Sequence, residues 1–221
     1  MQNIFHISES WHDPLPGLNR TLLLVVFVLS VECLAFFLRN TIPLSPLFLM
    51  GIVRLIDIVI LFYFGAWTFQ IVQSTAVLLL KGLFSAFFLA LAGFLFMYAW
   101  KSYFNSSMLK IDPHYFRPGG IRTSAFFLTA CLLSPTAEEL FFRGLIYRRL
   151  RAHLGIGISM AAVTLLFIGL HFIFSRQIII PLLGSLVFCL GYEVHKSIFT
   201  PLFLHIFGNL LIYLSPLIPF I

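Results

Sequence analysis

The chain has 221 residues, 60% of them hydrophobic and only 10% charged, with a formal charge of +6. Soluble domains carry about 25% charged residues, so a soluble globular protein is excluded and a polytopic membrane protein is implied. The basic residues lie mostly at the ends of apolar runs, which points to lipid headgroups as their partner and away from nucleic acid.

The apolar runs are near 20 residues long and lack strand-like alternation, so the fold class is an all-α membrane protein with about seven spans. Residues 1–19 read as a polar arm broken by Pro14, Pro16 and Gly17. The first span is predicted from Arg20 to Leu38, retained as a span because no basic n-region or cleavage site accompanies it. The second, Pro46 to Phe64, holds Arg54 and Asp57 at i,i+3, a pair expected to neutralise itself. Residues 66–80 are mixed in polarity and read as an interfacial helix or the slow start of span three, Gly82 to Trp100. A polar connection over 101–122 follows, so 20–121 forms an N-terminal helical part and 122–221 a second one. In that second part, spans are predicted at Ser124–Tyr147, Ile156–Phe174, Ile178–Tyr192 and Phe199–Leu217. The basic cluster at 148–151 marks its end of span four as cytoplasmic, although the basic residues of 101–122 argue the other way. Cys33, Cys131 and Cys189 lie in apolar runs without metal-site or disulfide spacing and read as small core residues.

Span four carries the decisive oddity, Ser134-Pro135-Thr136-Ala137-Glu138-Glu139-Leu140-Phe141-Phe142-Arg143. The span's apolar residues, about ten of them Leu, Ile and Phe, favour insertion by a few kcal/mol. Each charge near a helix centre costs about 2.5–3.5 kcal/mol on the same scale. Three such charges must therefore be paired, sheltered by other helices or wetted. Glu139 and Arg143, four apart, share a helix face and are expected to form an ion pair. Glu138 projects about 100° away, with Ser134 and Phe142 at i−4 and i+4, and is left free for chemistry. Pro135 should kink the helix and release a carbonyl near Cys131.

Three further polar residues stand inside apolar runs. His171 ends the stretch Phe167-Ile168-Gly169-Leu170-His171, where Gly169 is expected to permit close helix approach. His205 and Asn209 share one face of span seven. Each position read singly fits a structural polar knot between helices. Read together, a carboxylate and an imidazole can activate water, and a His/Asn pair can offer N–H donors to an oxyanion. Zinc held by Glu138, His171 and His205 is the competing chemistry, but the chain has no H-E-x-x-H motif, and metal-free hydrolysis is preferred.

Taken in order, E-E-x-x-x-R (Glu138, Glu139, Arg143), F-x-x-x-H (Phe167, His171) and H-x-x-x-N (His205, Asn209) resemble the motifs of the CPBP family. That family includes the CAAX prenyl endopeptidases of the Ras-converting type and bacterial proteins grouped with bacteriocin immunity. The resemblance runs from about Arg122 to the end and implies a glutamic-type intramembrane endopeptidase with no cofactor. It implies that Glu138 and His171 activate water, that His205 and Asn209 form an oxyanion hole, and that Glu139 with Arg143 braces the site. The implied partner is a membrane-embedded or membrane-tethered protein substrate. The short loops suggest a prokaryotic member in the plasma membrane, where C-terminal sorting tails are candidate substrates. The alternative is a non-catalytic membrane scaffold or immunity-type protein of the same fold. A small transporter is disfavoured because no internal repeat is visible.

Overall fold

The computed structural model describes residues 17–63, 75–104, 120–174 and 178–215. Those residues form seven helices and no strand: α1 (Leu18–Leu38), α2 (Pro46–Tyr63), α3 (Thr75–Phe104), α4 (Ile121–Arg151), α5 (Ile156–Phe174), α6 (Ile179–His195) and α7 (Phe199–Leu214). The all-helical membrane class holds. Most of the polar arm, residues 66–74 and most of the 101–122 connection lie outside the described residues. Of the segment 66–80, the part described is the start of α3.

The expected seven spans resolve into two groups. Helices α1 to α4 are long and apolar enough to cross a membrane, whereas α5, α6 and α7 are shorter apolar helices. At 1.5 Å per residue, the 17 residues of α6 and the 16 of α7 rise only about 24–26 Å, less than a hydrocarbon core of about 30 Å. A tight turn joins the two, with Lys196 in the left-handed region at φ 50°.

Helix α4 is the hub. Over its apolar window 56% of residues are buried, against 17–22% for α1, α2 and α3. Leu140, Phe141, Phe142, Leu145 and Tyr147 of α4 share one core with Leu24 and Val28 of α1, Leu61 of α2, Val163 and Phe167 of α5, and Cys189 and Tyr192 of α6. Large apolar side chains on α1, α2 and α3, such as Leu23, Phe37, Val59, Phe84 and Phe88, face outward, as expected where lipid is the solvent.

Glycines set the closest helix contacts. A Cβ on Gly82 of α3 would lie 2.9 Å from the Phe203 ring and 3.1 Å from the Phe199 carbonyl oxygen of α7. One on Gly191 of α6 would lie 2.8 Å from Leu204 and 3.1 Å from Thr200. Helix α7 is thus clasped between α3 and α6. On the other side of the hub, Gly51 of α2 abuts Thr129 of α4, with its Cβ position 3.0 Å from the threonine Oγ1.

Two charge assignments change. Arg54 is paired with Glu32 of α1 as well as with Asp57, whose Oδ2 lies 3.5 Å from the Arg54 Nη1. The expected intrahelical pair is therefore a three-residue knot between α1 and α2, which i,i+3 spacing within one helix could not reveal. The basic cluster at 148–151 is also not simply a lipid-facing surface. Arg148 and Arg151 are buried, and the Arg151 Nε donates to Glu193 Oε1 of α6 at 2.9 Å. Tyr147 donates its hydroxyl to the same oxygen at 2.7 Å, and Lys196 pairs with the other.

Candidate active site

Helix α4 changes winding around the glutamates. It is α-helical over Ile121–Phe127, π-helical over Leu128–Leu133, α-helical over Ser134–Glu139, π-helical over Leu140–Tyr147 and α-helical over Arg148–Arg151. π-Helical turns pair residues five apart and concentrate at functional sites. The cause of the first is local. In the π register the Ser134 N–H donates to the Thr129 carbonyl, so the next bond would run from residue 135 to the Ala130 carbonyl. Residue 135 is a proline and has no N–H. The released carbonyl is thus Ala130, one residue earlier than α-helical counting from Pro135 gives.

Asn209 of α7 answers that carbonyl. Its Nδ2 donates to Ala130 O at 2.8 Å. The knot reading of Asn209 is therefore real for one of its protons, while its second Nδ2 proton and its Oδ1 have no partner among the described residues. The Asn209→Ala substitution should cost about 1–3 kcal/mol, the penalty of a buried polar group left unpaired. Pro135→Ala restores an N–H in the same place, so in a double-mutant unfolding cycle the combined cost should fall well below the sum. Additive costs would show the two features to be unrelated.

The glutamates diverge as helical geometry requires. Glu139 is fully buried, and its Oε1 accepts from Arg143 Nη1 at 2.9 Å. The i,i+4 pair survives the π segment because four residues remain close to one full turn. Arg143 is also fully buried; its Nη2 donates to the Ser185 carbonyl at 3.1 Å and to the Ser185 Oγ at 2.9 Å. Thr164 of α5 shares the Ser185 hydroxyl at 3.1 Å. The rings of Phe142, Phe167 and Phe188 surround the guanidinium at 5.8, 5.2 and 5.3 Å, within the range of cation–π attraction. Ser185, Thr164 and Phe188 gave no signal in the sequence, since an uncharged serine, threonine or phenylalanine within an apolar run does not stand out.

Glu139 Oε1 accepts a second bond, from His205 Nδ1 at 2.8 Å. The sequence predicted the Glu139–Arg143 pair but not this histidine on it. His205 stacks on Phe188, with centroids 4.6 Å apart and planes at 22°. His171 is held comparably by Phe167, whose ring stacks on it at 4.2 Å and whose carbonyl lies 2.9 Å from Nδ1. A carbonyl can only accept, so the proton sits on Nδ1, and a neutral His171 presents a lone pair at Nε2.

Glu138 Oε2 lies between the two imidazoles, 3.9 Å from His171 Nε2 and 3.8 Å from His205 Nε2. It is buried and has no hydrogen-bond partner among the described residues. The structure therefore brings together Glu138, Glu139, Arg143, His171 and His205, with Asn209 one turn from His205 on the same helix. No group of three or more His, Cys, Asp or Glu side chains among the described residues is arranged to hold a metal ion. Gly169 departs from expectation: nothing lies within 4 Å of its Cβ position, and it is exposed, so it does not serve close helix packing.

Residues 121–211, which contain every one of these positions, match a family described as type II CAAX prenyl endopeptidase Rce1-like. Over this segment, which is less than half of the chain, the protein is similar to the Rce1-like peptidases. No curated protein and no solved structure matches the chain. The Rce1-like segment spans α4 to α7, the hub helix and the three short helices that carry the histidines and Asn209. Together with the long apolar helices of the first half, it fits a multi-pass membrane protein.

Proposed function

We propose that the protein is a glutamic-type intramembrane endopeptidase that hydrolyses a peptide bond in a membrane-associated protein or its C-terminal tail. The observation that carries this reading is the Glu138 Oε2 atom, buried and unpartnered, facing the Nε2 atoms of His171 and His205 at 3.9 and 3.8 Å. A carboxylate oxygen and the lone pair of a neutral imidazole are both acceptors. At that separation they do not bond each other, and each is well placed to accept one proton of the same water molecule.

The chemistry follows from those positions. As the water oxygen bonds to the carbonyl carbon, one of its protons passes to Glu138, with His171 holding the water's orientation. Collapse of the tetrahedral species breaks the C–N bond, and the proton passes on to the leaving amine. His205 Nδ1 is committed to Glu139, so a donor at its Nε2 requires the imidazolium form, whose charge Glu139 balances. That cation and the second Nδ2 proton of Asn209 serve the developing oxyanion. Arg143 and Glu139 act on position, holding His205 and the helix frame. No metal takes part in these steps.

The test compares the mature C-termini of membrane proteins from prokaryotic host cells with the wild-type protein, with Glu138→Ala and with neither. Processed termini that require Glu138 support the reading. Identical termini in all three would sink it and leave the scaffold alternative. In purified membranes cleavage should persist in the presence of a strong zinc chelator; its loss there, with recovery on adding zinc, would replace activated water by a metal mechanism.

A further inference from the structure

A hydroxyl inside a helix commonly bonds back to the carbonyl four residues before it. Ser30 does so to Val26 at 2.7 Å, and Thr136 to Leu132 at 2.7 Å. Ser134 does not. It is buried, 5% exposed, and its Oγ has no hydrogen-bond partner among the described residues. The carbonyl it would use is that of Ala130, and the Asn209 Nδ2 already donates to that oxygen at 2.8 Å. A buried hydroxyl left unpaired is destabilising, so Ser134 adds nothing to the folded helix that alanine would not.

Its place on α4 is between two parts of the candidate site. The backbone is α-helical over Ser134–Glu139, so Ser134 and Glu138 share a face, with Cβ atoms about 5–6 Å apart. Helical side chains lean toward the N-terminus, which carries the Glu138 carboxylate toward Ser134. Helix α7 follows the same stretch of α4. His205 Nε2 lies 3.8 Å from Glu138 Oε2, and one turn later Asn209 reaches the Ala130 carbonyl. A helical carbonyl points toward the residues that follow it, so the Ala130 oxygen and the amide on it lie on the Ser134 side of Ala130. The two donors proposed for the oxyanion, His205 and Asn209, thus bracket Ser134 along the helix.

We infer that Ser134 is a further catalytic residue, whose hydroxyl donates to the tetrahedral oxyanion beside the second Nδ2 proton of Asn209. This rests on the peptidase reading above. Three donors from two helices then meet one oxygen: Ser134 of α4, and His205 and Asn209 of α7. Because no acceptor among the described residues holds the Ser134 proton, the hydroxyl turns to the oxyanion without giving up an existing bond. That is the condition under which a fixed donor favours the transition state over the ground state. The hydroxyl keeps its proton throughout, so Glu138 remains the group that takes the proton from water.

The test uses the full chain, in cells and purified in detergent, and reads the rate at which C-termini are processed together with thermal unfolding. Ser134→Ala should process about a hundredfold more slowly, the scale of one lost oxyanion donor. It should unfold at or above the wild-type temperature, because an unpaired buried hydroxyl has gone. Ser159→Ala is the control. The Ser159 hydroxyl is likewise buried and unpaired among the described residues, but it lies about 18 Å from His171 along α5, so processing should be normal. In a Glu138→Gln background Ser134→Ala should lower the residual processing further, since an oxyanion donor acts whatever group activates the water. Wild-type processing by Ser134→Ala would overturn the inference and leave the peptidase reading standing. A marked loss of stability in Ser134→Ala would also overturn it, making the serine a packing residue. No further loss in the Glu138→Gln background would overturn the donor role and place Ser134 with the water. If wild type and Glu138→Ala give the same termini, the peptidase reading itself fails and the inference falls with it.

Discussion

Glu138→Gln protein is expected to fold like the wild type and to cleave about 10²–10⁴-fold more slowly, the contribution of a positioned general base. The substitution keeps the side chain's size and removes only the capacity to take a proton at Oε2. The Glu138 Oε2 atom has no hydrogen-bond partner among the described residues, so the fold does not depend on its charge, and thermal unfolding in detergent should move little. His171→Ala should act on the same step, and its effect should be far from additive with Glu138→Gln, because the proposed mechanism has the two groups hold one water between them. Full activity in Glu138→Gln would remove the carboxylate from the chemistry.

Arg143→Met is expected to behave in the opposite way, abolishing the folded protein together with the activity. Arg143 and Glu139 are both fully buried, and breaking such a pair from one side leaves a buried charge at a cost of about 3–5 kcal/mol. The Ser185 carbonyl and hydroxyl lose their donor at the same time. Arg143→Lys should rescue little, because an ammonium lacks the planar fork that spans Glu139 and Ser185 together. The double variant Glu139→Gln with Arg143→Met removes both charges and should recover monodisperse, folded protein. It should stay inactive, since His205 then loses the carboxylate on its Nδ1 that would balance an imidazolium. The measurements are detergent-soluble yield, unfolding temperature and processed C-termini. Wild-type stability in Arg143→Met would show the frame to be held by packing alone.

These two substitutions separate what spacing can reveal from what it cannot. Helical spacing gave the pairing of Glu139 with Arg143, because the two are close in sequence and lie on one helix. The lengths of the apolar runs gave the helical membrane class in the same way. The bond from His205 to Glu139 spans 66 positions in sequence, and a local periodicity argument has no access to such a distance. Ser185 and Phe188 were invisible for a different reason: a serine and a phenylalanine in an apolar run look like filler until a guanidinium is seen beside them. Gly169 shows a third limit. It is an intrahelical glycine between the motif residues Phe167 and His171, and the sequence suggested helix packing there, but only coordinates separate a glycine in contact from one that borders open space. Glu32 joined Arg54 for the same reason as His205, through packing of two helices rather than spacing along one.

The winding of α4 carries a consequence for how this chain can vary. A π turn accommodates one residue more than an α turn, so each π segment shifts the angular phase of everything beyond it. Deleting one residue between Leu128 and Leu133 would return that stretch to α-helix and swing Ile121–Phe127 by about 100° relative to the glutamates, detaching the α2 contact at Thr129. The Ala130 carbonyl would also turn away from Asn209. Length is therefore as constrained in α4 as chemistry is, and single-residue indels, tolerated in the connections between helices, should be excluded from the first half of this one.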